Sequence, residues 1–386
     1  MKTAMTLFRN NTRQYSMLIA LIAIMLFFQI MTDGTLMKPV NLTNLILQNS
    51  YIVIMAIGML LVIVAGGIDL SVGSVAAFTG AVAAVMMVEY KMNFILVIMI
   101  SLLIGAVIGA AQGYWVAYQK VPAFIATLAG MLIFRGLTLV ILQGRSIGPF
   151  PTSFQKLSSG FLPDVFAGDS LHITSIVIGV IISALVVYLD YRSRKNKVKY
   201  GFDVSPISIF VVKNAILVAV ILYLSYLMAS YKGLPNVLVI LFTLIVVYSF
   251  ITKQTVIGRR IYALGGNEKA AQLSGVNTNR LKFLTFVNMG ILAALGGLII
   301  AARLNVASPK AGSGIELDVI AAVFIGGASA SGGIGTVIGA VIGALVMGVM
   351  NNGMSIVGIG IDWQQAIKGL VLAFAVWFDV RNKNKA

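Results

Sequence analysis

The sequence predicts an all-α polytopic membrane protein with about 10–12 transmembrane helices, some of them broken or re-entrant, and with both termini in the cytoplasm. Three observations lead to this class. The 386 residues are 59% hydrophobic and 10% charged, whereas soluble domains carry about 25% charged residues. Several apolar stretches approach the roughly 20 residues that a helix needs to cross a bilayer. The basic residues lie in short segments between these stretches, as is typical of integral membrane proteins.

Apolar windows follow one another along the chain, and we expect them to form a single transmembrane domain over residues 1–386. The first window lies behind three basic residues and lacks a small-residue cleavage site, so we expect an uncleaved first span. Some later windows are short enough to be half-spans. The candidate crossings are residues 16–31, 45–64, 71–88, 94–116, 124–142, 173–189, 209–228, 237–251, 283–302, 315–328, 334–350 and 363–378.

The distribution of Lys and Arg orients these crossings. If the N-terminus is cytoplasmic, the segments 1–15, 118–122, 190–205, 253–282 and 379–386 are internal and hold 18 of these residues, against seven in the external segments. Cytoplasmic loops of membrane proteins carry such an excess of positive charge. We therefore expect both ends of the chain to be inside.

The composition excludes several kinds of chemistry. The chain has no cysteine, and its one histidine, His172, lies at a predicted membrane boundary, so we expect no disulfide, no metal site and no catalytic residue. The net charge of +16 comes from segments between spans and not from a basic helix face, so nucleic acid is not an expected partner. No G-x-x-x-x-G-K-[ST] stretch occurs, so this chain cannot bind a nucleotide phosphate by that route, and we expect no cofactor on it. If ATP drives its function, ATP and Mg²⁺ must bind another subunit.

A first polar segment, residues 66–74, separates two apolar windows. Its carboxylate Asp69 and hydroxyl Ser71 are suited to capping the helix that follows, where free N–H groups need acceptors. The alternative is a broken helix whose polar backbone lines a solute path. In that second interpretation, Ser74 and Phe78 on the next turns are further candidate pathway residues.

A second polar segment lies in the cytoplasmic loop 253–282. It has the composition of a short amphipathic helix that Gly275 ends. Such a helix at the membrane surface is suited to docking into a groove on a cytoplasmic partner, and an ordinary surface helix is the alternative. The candidate docking residues are Asn267, Glu268, Lys269, Ala270, Ala271, Leu273, Ser274 and Gly275.

A third segment begins with Glu316 and Asp318 and continues into the Gly/Ser-rich run 324–333. Such a run cannot form a stable helix in contact with lipid, so it is buried in protein or faces water. Its hydroxyls and free backbone groups would suit a polyol ligand, and a hinge or packing loop is the alternative. The candidate pathway residues of this region are Ser329, Ser331, Asn351 and Asn352.

Single charges inside the predicted spans are candidates for function. Arg135 lies centrally in its span and needs a partner, for which Asp69 is one candidate; it is also a candidate pathway residue. Lys368 lies near one end of the last span, where its side chain can extend to the interface. The heptapeptide IGAVIGA occurs at 104–110 and again at 338–344, and its glycine spacing predicts close helix packing.

Together these segments resemble the permease family of bacterial ribose, galactose, xylose and multiple-sugar ABC importers. The matching blocks are GGIDLSVGSVAAFTGAVAA (66–84), GRRIYALGGNEKAAQLSGVNTNRLK (258–282), ARLNVASPKAGSGIELDVIAAVFIGGASASGGIGTVIGAVIGAL (302–345) and NNGMSIVGI (351–359). They occur in order over most of the chain apart from about 145–255. Within 190–250 this chain adds a basic loop and two apolar spans that short members lack, a length similar to that of the xylose-type permeases.

The resemblance implies the permease subunit of a bacterial inner-membrane importer for a monosaccharide, xylose or a related pentose or hexose. Besides membrane lipid, the implied partners are a second permease copy (most simply a homodimer), a cytoplasmic ABC ATPase and a periplasmic or lipid-anchored sugar-binding protein. It also implies that residues 267–275 form the coupling helix that meets the ATPase.

Two other classes of transporter stay open at this point. A branched-chain amino-acid or autoinducer ABC permease would have a related architecture, although zwitterionic cargo favours fixed charges in the path. An ion-driven secondary transporter would usually place titratable groups within several spans, whereas most carboxylates here lie at the predicted margins.

Overall fold

The computed structural model describes residues 12–166, 171–202, 204 and 206–383. Its helices are α1 (Thr12–Met31), α2 (Pro39–Val64), α3 (Val72–Ala84, extended by a π-helical turn Val85–Glu89), α4 (Phe94–Ala117), α5 (Ala123–Leu142), α6 (Thr152–Ser159), α7 (Ile173–Lys199), α8 (Ile207–Ala229), α9 (Asn236–Gln254), α10 (Val256–Gly266), α11 (Glu268–Leu273), α12 (Thr278–Leu304), α13 (Ile315–Ile325), α14 (Val337–Val357) and α15 (Ile361–Lys383). Extended segments pair only at two isolated β-bridges within the described residues. The all-α prediction is confirmed.

Among the described residues, nine helices are long and apolar enough to cross a membrane. They are α2, α3 with its π-helical turn, α4, α5, α7, α8, α9, α12 and α14. Two further helices are not among these nine: α1, whose apolar part Met17–Met31 is shorter, and α15, which has 23 residues. The chain is therefore a polytopic membrane protein. The basic residues within positions 1–11, which the orientation argument used, lie outside the described residues.

The crossing predicted at 315–328 is a broken one. Helix α13 stops at Ile325 after 11 residues, and the chain continues without regular structure to α14. The far end of this stretch meets the end of α2 and helix α10, because the amide of Gly333 donates to the Val64 carbonyl over 2.9 Å and the Tyr262 hydroxyl donates to the Gly335 carbonyl over 2.8 Å. Buried polar backbone at this depth is tolerated because protein surrounds it.

The basic segment behind the 173–189 window is helical, which corrects the prediction of a loop there. Helix α7 continues through it to Lys199. Lys and Arg are good helix formers, and their long stems can lie along the apolar surface while the charges reach water. Helices α7 and α8 pack mainly on each other and form a hairpin beside the rest of the bundle.

Helix α12 is the centre of the packing, in contact with α2, α3 and α4. Its backbone approaches α4 most closely where Gly290 meets Gly105, because a Cβ on either residue would overlap the carbonyl oxygen of the other. The second copy of the heptapeptide packs similarly, with Gly343 of α14 against the backbone of Ala322 in α13. Glycine spacing on these helices therefore serves close packing.

Replacing Gly290 by Ala is expected to destabilise the protein by about 1–3 kcal/mol, the usual cost of overpacking a tight core. The new methyl group would overlap backbone, which cannot move aside as a side chain can. The matched control is Gly369→Ala in α15, where a Cβ meets nothing within 4 Å. Thermal unfolding in detergent should show a lower midpoint for the first variant only; equal midpoints would contradict the packing argument.

Candidate functional site

The segment between α2 and α3 forms a buried polar turn. A carboxylate oxygen of Asp69, which is only 3% exposed, accepts bonds from the Ser71 amide at 2.8 Å and the Ser71 hydroxyl at 2.6 Å. The Ser71 hydroxyl also meets the side-chain amide of Gln112 in α4, whose nitrogen donates over 2.8 Å. The amide of Leu70 donates to the Thr127 hydroxyl of α5 over 3.1 Å. The two bonds to Asp69 are internal to the turn, and the contacts with Gln112 and Thr127 hold it against α4 and α5.

The capping interpretation of this segment is wrong for Ser71, although the Asp69 carboxylate does accept the amide of Ser71 directly before α3. Ser71 occupies the N-cap position of α3, but its side chain makes no bond to the helix amides. Its backbone is in the right-handed helical region, whereas capping side chains need an extended backbone to reach the first turn. Ser74 turns its hydroxyl back to the Ser71 carbonyl over 2.8 Å. These residues stabilise a break in the chain before α3.

Arg135 pairs with Glu316 and not with Asp69, which corrects the partner suggested from the sequence. The guanidinium Nη2 lies 3.5 Å from Glu316 Oε1, whereas the Asp69 carboxylate takes its hydrogen bonds from Ser71. The other carboxylate oxygen of Glu316 is buried without a hydrogen-bond partner. Gly73 at the start of α3 lies directly against Glu316 and Gly312, so the starts of α3 and α13 meet beside this ion pair.

A second ion pair lies on the other side of α13. Lys368 Nζ is 2.9 Å from Asp318 Oδ1, so Lys368 does not simply extend to the interface as predicted. The side-chain amide of Asn351 donates to the same carboxylate over 3.3 Å. Residues two apart on a helix point about 200° apart, which is why Glu316 faces α5 while Asp318 faces α14 and α15. Both carboxylates lie in the first turn of α13, where the helix dipole stabilises negative charge.

The two ion pairs border an open face, and Arg135 lies well inside α5, a helix long enough to cross a membrane. Counted from the first residue of each helix at 1.5 Å per residue, Arg135 lies about 18 Å along α5 and Lys368 about 10 Å along α15. Leu317, between the two carboxylates, is 53% exposed, and the side chain of Arg135 is 40% exposed. Partly exposed charges at this depth face protein or water and not lipid. We define the open face by α5, the first turn of α13, and α15.

The other candidate pathway residues fall into different surroundings. Phe78 packs against Phe134, the neighbour of Arg135, with ring centroids 5.3 Å apart. Asn352 exchanges amide hydrogen bonds of 2.8 and 3.1 Å with Asn41 and so ties α14 to α2. The hydroxyls of Ser329 and Ser331 are 3.0 Å apart, in the turn whose end meets Val64 and Tyr262 at the cytoplasmic side. The structure therefore brings Phe78 close to Arg135, but it places Ser329 and Ser331 elsewhere.

The cytoplasmic loop carries a short exposed helix, α11. Asn267 caps it by accepting a bond from the Ala270 amide over 3.0 Å, and Gly275 follows it with φ +79°, a conformation that glycine adopts without strain. Ala271 packs inward at 5% exposure, whereas Leu273 is 90% exposed. Lys269 and Ala270 are also exposed, and the Ser274 hydroxyl donates to the Ala270 carbonyl over 2.9 Å.

One ion pair and one cavity connect α11 to the buried turn. Glu268 Oε2 lies 2.6 Å from Lys282 Nζ at the start of α12. Lys282 lines a cavity of about 240 Å³ whose walls include Gly66, Gly67 and Lys120. The Tyr262 hydroxyl of α10 donates to the Gly335 carbonyl over 2.8 Å, and burial raises its pKa. The sequence interpretation missed Lys282 and Gln112, although a polar residue inside an apolar helix was a signal for Gln112.

A polytopic helical bundle with a broken crossing, a layer of paired charges at membrane depth and a polar helix on the cytoplasmic side defines a membrane permease. The chain belongs to the family described as branched-chain amino acid transport system / permease component, whose model matches residues 41–376. No solved structure matches the chain.

Curated relatives are similar over nearly the whole chain. The xylose transport system permease protein XylH of Haemophilus influenzae is 40% identical over 375 residues, which cover 97% of this chain and 98% of the relative. XylH of Escherichia coli K12 is 40% identical over 377 residues, with 97% and 94% covered. The ribose import permease protein RbsC of Haemophilus influenzae is 39% identical over 372 residues, with 96% and 94% covered.

Proposed function

We propose that this chain is the transmembrane permease subunit of an ATP-binding-cassette importer that carries a monosaccharide, xylose or a related pentose or hexose, across the bacterial inner membrane. The observation that carries the proposal is the 40% identity to xylose permeases over almost the full length of both chains. The family description names branched-chain amino acids, but the similar relatives are named for sugars, which favours a sugar as the cargo.

The paired charges at membrane depth are compatible with neutral cargo. Each carboxylate of the α13 first turn is matched by one cation, Glu316 by Arg135 at 3.5 Å and Asp318 by Lys368 at 2.9 Å. A zwitterion would call for charges free to pair with it, whereas a sugar needs hydrogen-bonding groups without fixed charge. The pathway residues that we propose first are Arg135, Asn351 and the neighbouring backbone of α13. A second group on and before α3 would hold these residues in position: Asp69, Ser71, Ser74 and Phe78.

We assign the open face of α5, α13 and α15 to the contact with a second permease copy. The argument is the partial exposure of Arg135 and Lys368 at a depth where lipid contact is costly. In a homodimer, a two-fold axis brings the same patch of both subunits together. Two such faces would enclose a path between them, with Leu317 of each copy directed into it.

The energy for transport would come from a separate ATPase that docks on α11. The residues that would contact the ATPase are Asn267, Lys269, Ala270, Leu273, Ser274 and Gly275. Ala271 anchors the helix inward, and Glu268 joins it to Lys282 behind this surface. A displacement of α11 would be transmitted by the Glu268–Lys282 pair and the residues that line the adjoining cavity to the turn at Asp69. ATP and Mg²⁺ then belong to the ATPase, and a periplasmic or lipid-anchored binding protein would deliver the sugar.

Reconstitution tests this function directly. We expect proteoliposomes that contain the permease, its ATPase and its sugar-binding protein to take up labelled xylose or a related sugar when ATP is supplied, and to keep doing so with a protonophore. The permease alone should not concentrate sugar. Uphill uptake by the permease alone would point to an ion-driven transporter, and ATP-dependent uptake of leucine in place of sugar would point to an amino-acid permease.

A further inference from the structure

The α7–α8 hairpin has an apolar groove that the proposed transport function does not use. The groove has a volume of about 570 Å³ and lies between the two helices. The size falls within the roughly 300–1,000 Å³ range of small-molecule pockets. Its lining residues are Val180, Ser183, Ala184, Val187, Tyr188, Tyr191, Phe210, Val218 and Leu222. Nearly all of this lining is apolar, so the groove suits a hydrocarbon chain.

The groove extends from the middle of the membrane toward the cytoplasmic interface. The contact of Gly179 with Ser225 brings the two helices together at its upper end. Tyr188 and Tyr191, 58% and 56% exposed, lie at its lower end, about 22 and 27 Å from the start of α7 at 1.5 Å per residue. Tyrosine is enriched at this level of a bilayer, where the ring meets acyl chains and the hydroxyl meets head groups.

A dense group of cations stands at the lower mouth of the groove. The last part of α7 carries Arg192, Arg194, Lys195, Lys197 and Lys199, with no carboxylate between residues 191 and 200. The Arg194 guanidinium lies 5.3 Å from the centre of the Phe210 ring, which lines the groove. The Asp190 carboxylate, just above, is already paired with Lys213 at 3.0 Å and bonded to Asn214 at 2.9 Å. The mouth is therefore strongly positive.

We propose that this groove binds an anionic phospholipid of the inner leaflet. One acyl chain would lie between α7 and α8, and the phosphate would meet the cations at the end of α7. Basic pockets between transmembrane helices on the cytoplasmic side suit such head groups. An apolar groove that opens onto a cluster of cations is complementary to an anionic lipid, because the acyl chain matches the groove and the phosphate matches the positive charge, whereas an apolar helix of a second copy would match only the groove.

Native mass spectrometry of the delipidated, detergent-purified full chain tests the site. The added probe is dioleoyl phosphatidylglycerol, with dioleoyl phosphatidylcholine for comparison. We expect the wild type to retain phosphatidylglycerol preferentially. Ala184→Trp, which fills the groove, is expected to weaken this retention about tenfold. Arg192→Gln/Lys195→Gln/Lys197→Gln, which leaves the helix packing unchanged, should weaken it about tenfold or more, since each cation near the surface contributes roughly fivefold.

Matched controls separate the groove from general effects. Leu189→Trp adds the same ring to an exposed position of α7 that does not line the groove, and Lys253→Gln/Arg259→Gln/Arg260→Gln removes three other cytoplasmic cations. Both should bind phosphatidylglycerol like the wild type. The proposal is overturned if Ala184→Trp retains the lipid fully or if phosphatidylcholine binds equally well. It is also overturned if Ala184→Trp changes the subunit stoichiometry without changing the bound lipid, because that result would indicate a second protein chain in the groove.

Discussion

Replacement of Glu316 by Gln is expected to lower ATP-dependent sugar uptake by about tenfold or more, since a change of only 1.4 kcal/mol in a barrier has that effect. The substitution keeps the shape of the side chain but removes the charge that holds the Arg135 guanidinium at 3.5 Å. An uncompensated cation within the membrane is costly. Because Arg135 borders the open face, it would move into the proposed path. Uptake by proteoliposomes that contain the complete importer measures the effect.

A surface ion pair provides the control for this prediction. Glu89 and Arg145 are 3.2 Å apart, but their side chains are 40% and 63% exposed. Exposed pairs contribute little, so Glu89→Gln should transport within about twofold of the wild type. Thermal unfolding of both variants distinguishes a transport defect from loss of folded protein. If Glu316→Gln transports as fast as Glu89→Gln, the α13 ion pair is not part of the transport mechanism.

The features that the sequence predicted well are those that the bilayer imposes locally. Apolar length and the position of cations follow from the cost of burying charge, and they can be counted along the chain. The broken crossing was predicted for the same reason, because a run rich in Gly and Ser such as 326–333 cannot face lipid as a helix. The short α11 was predicted from local composition and from Gly275.

The pairing of charges could not be predicted in this way. The sequence offers Asp69 as a partner for Arg135, but the structure pairs Arg135 with Glu316, about 180 residues further along the chain. Only the tertiary fold brings α13 within reach of Arg135 on α5 and Lys368 on α15, so that the two ion pairs lie on opposite sides of one helical turn. The same limit applies to Lys282, whose contact with Glu268 depends on how α11 folds back on α12.

Replacement of Leu273 by Asp is expected to weaken binding of the ATPase by about tenfold or more, with a parallel loss of transport. Leu273 is 90% exposed at the end of α11, so a carboxylate there leaves the fold of the permease intact. Burial of an exposed leucine side chain at an interface contributes about 1.5–3 kcal/mol, and a carboxylate at the same position would lose that contribution. Co-purification and a binding titration of the ATPase on the reconstituted permease measure the loss.

The matched control is Val198→Asp at the cytoplasmic end of α7, where the side chain is 57% exposed. We expect that variant to bind the ATPase normally.

Glu268→Gln separates docking from transmission at the same helix. The Glu268–Lys282 pair joins α11 to α12 at 2.6 Å, behind the surface that would meet the ATPase. Loss of the pair should therefore leave ATPase binding within about twofold, as for other partly exposed pairs, but lower the uptake per ATP hydrolysed. The two variants then differ in kind, one failing to bind and the other failing to couple. Full uptake per ATP in Glu268→Gln would exclude this pair from the coupling route, and normal ATPase binding by Leu273→Asp would remove α11 as the docking helix.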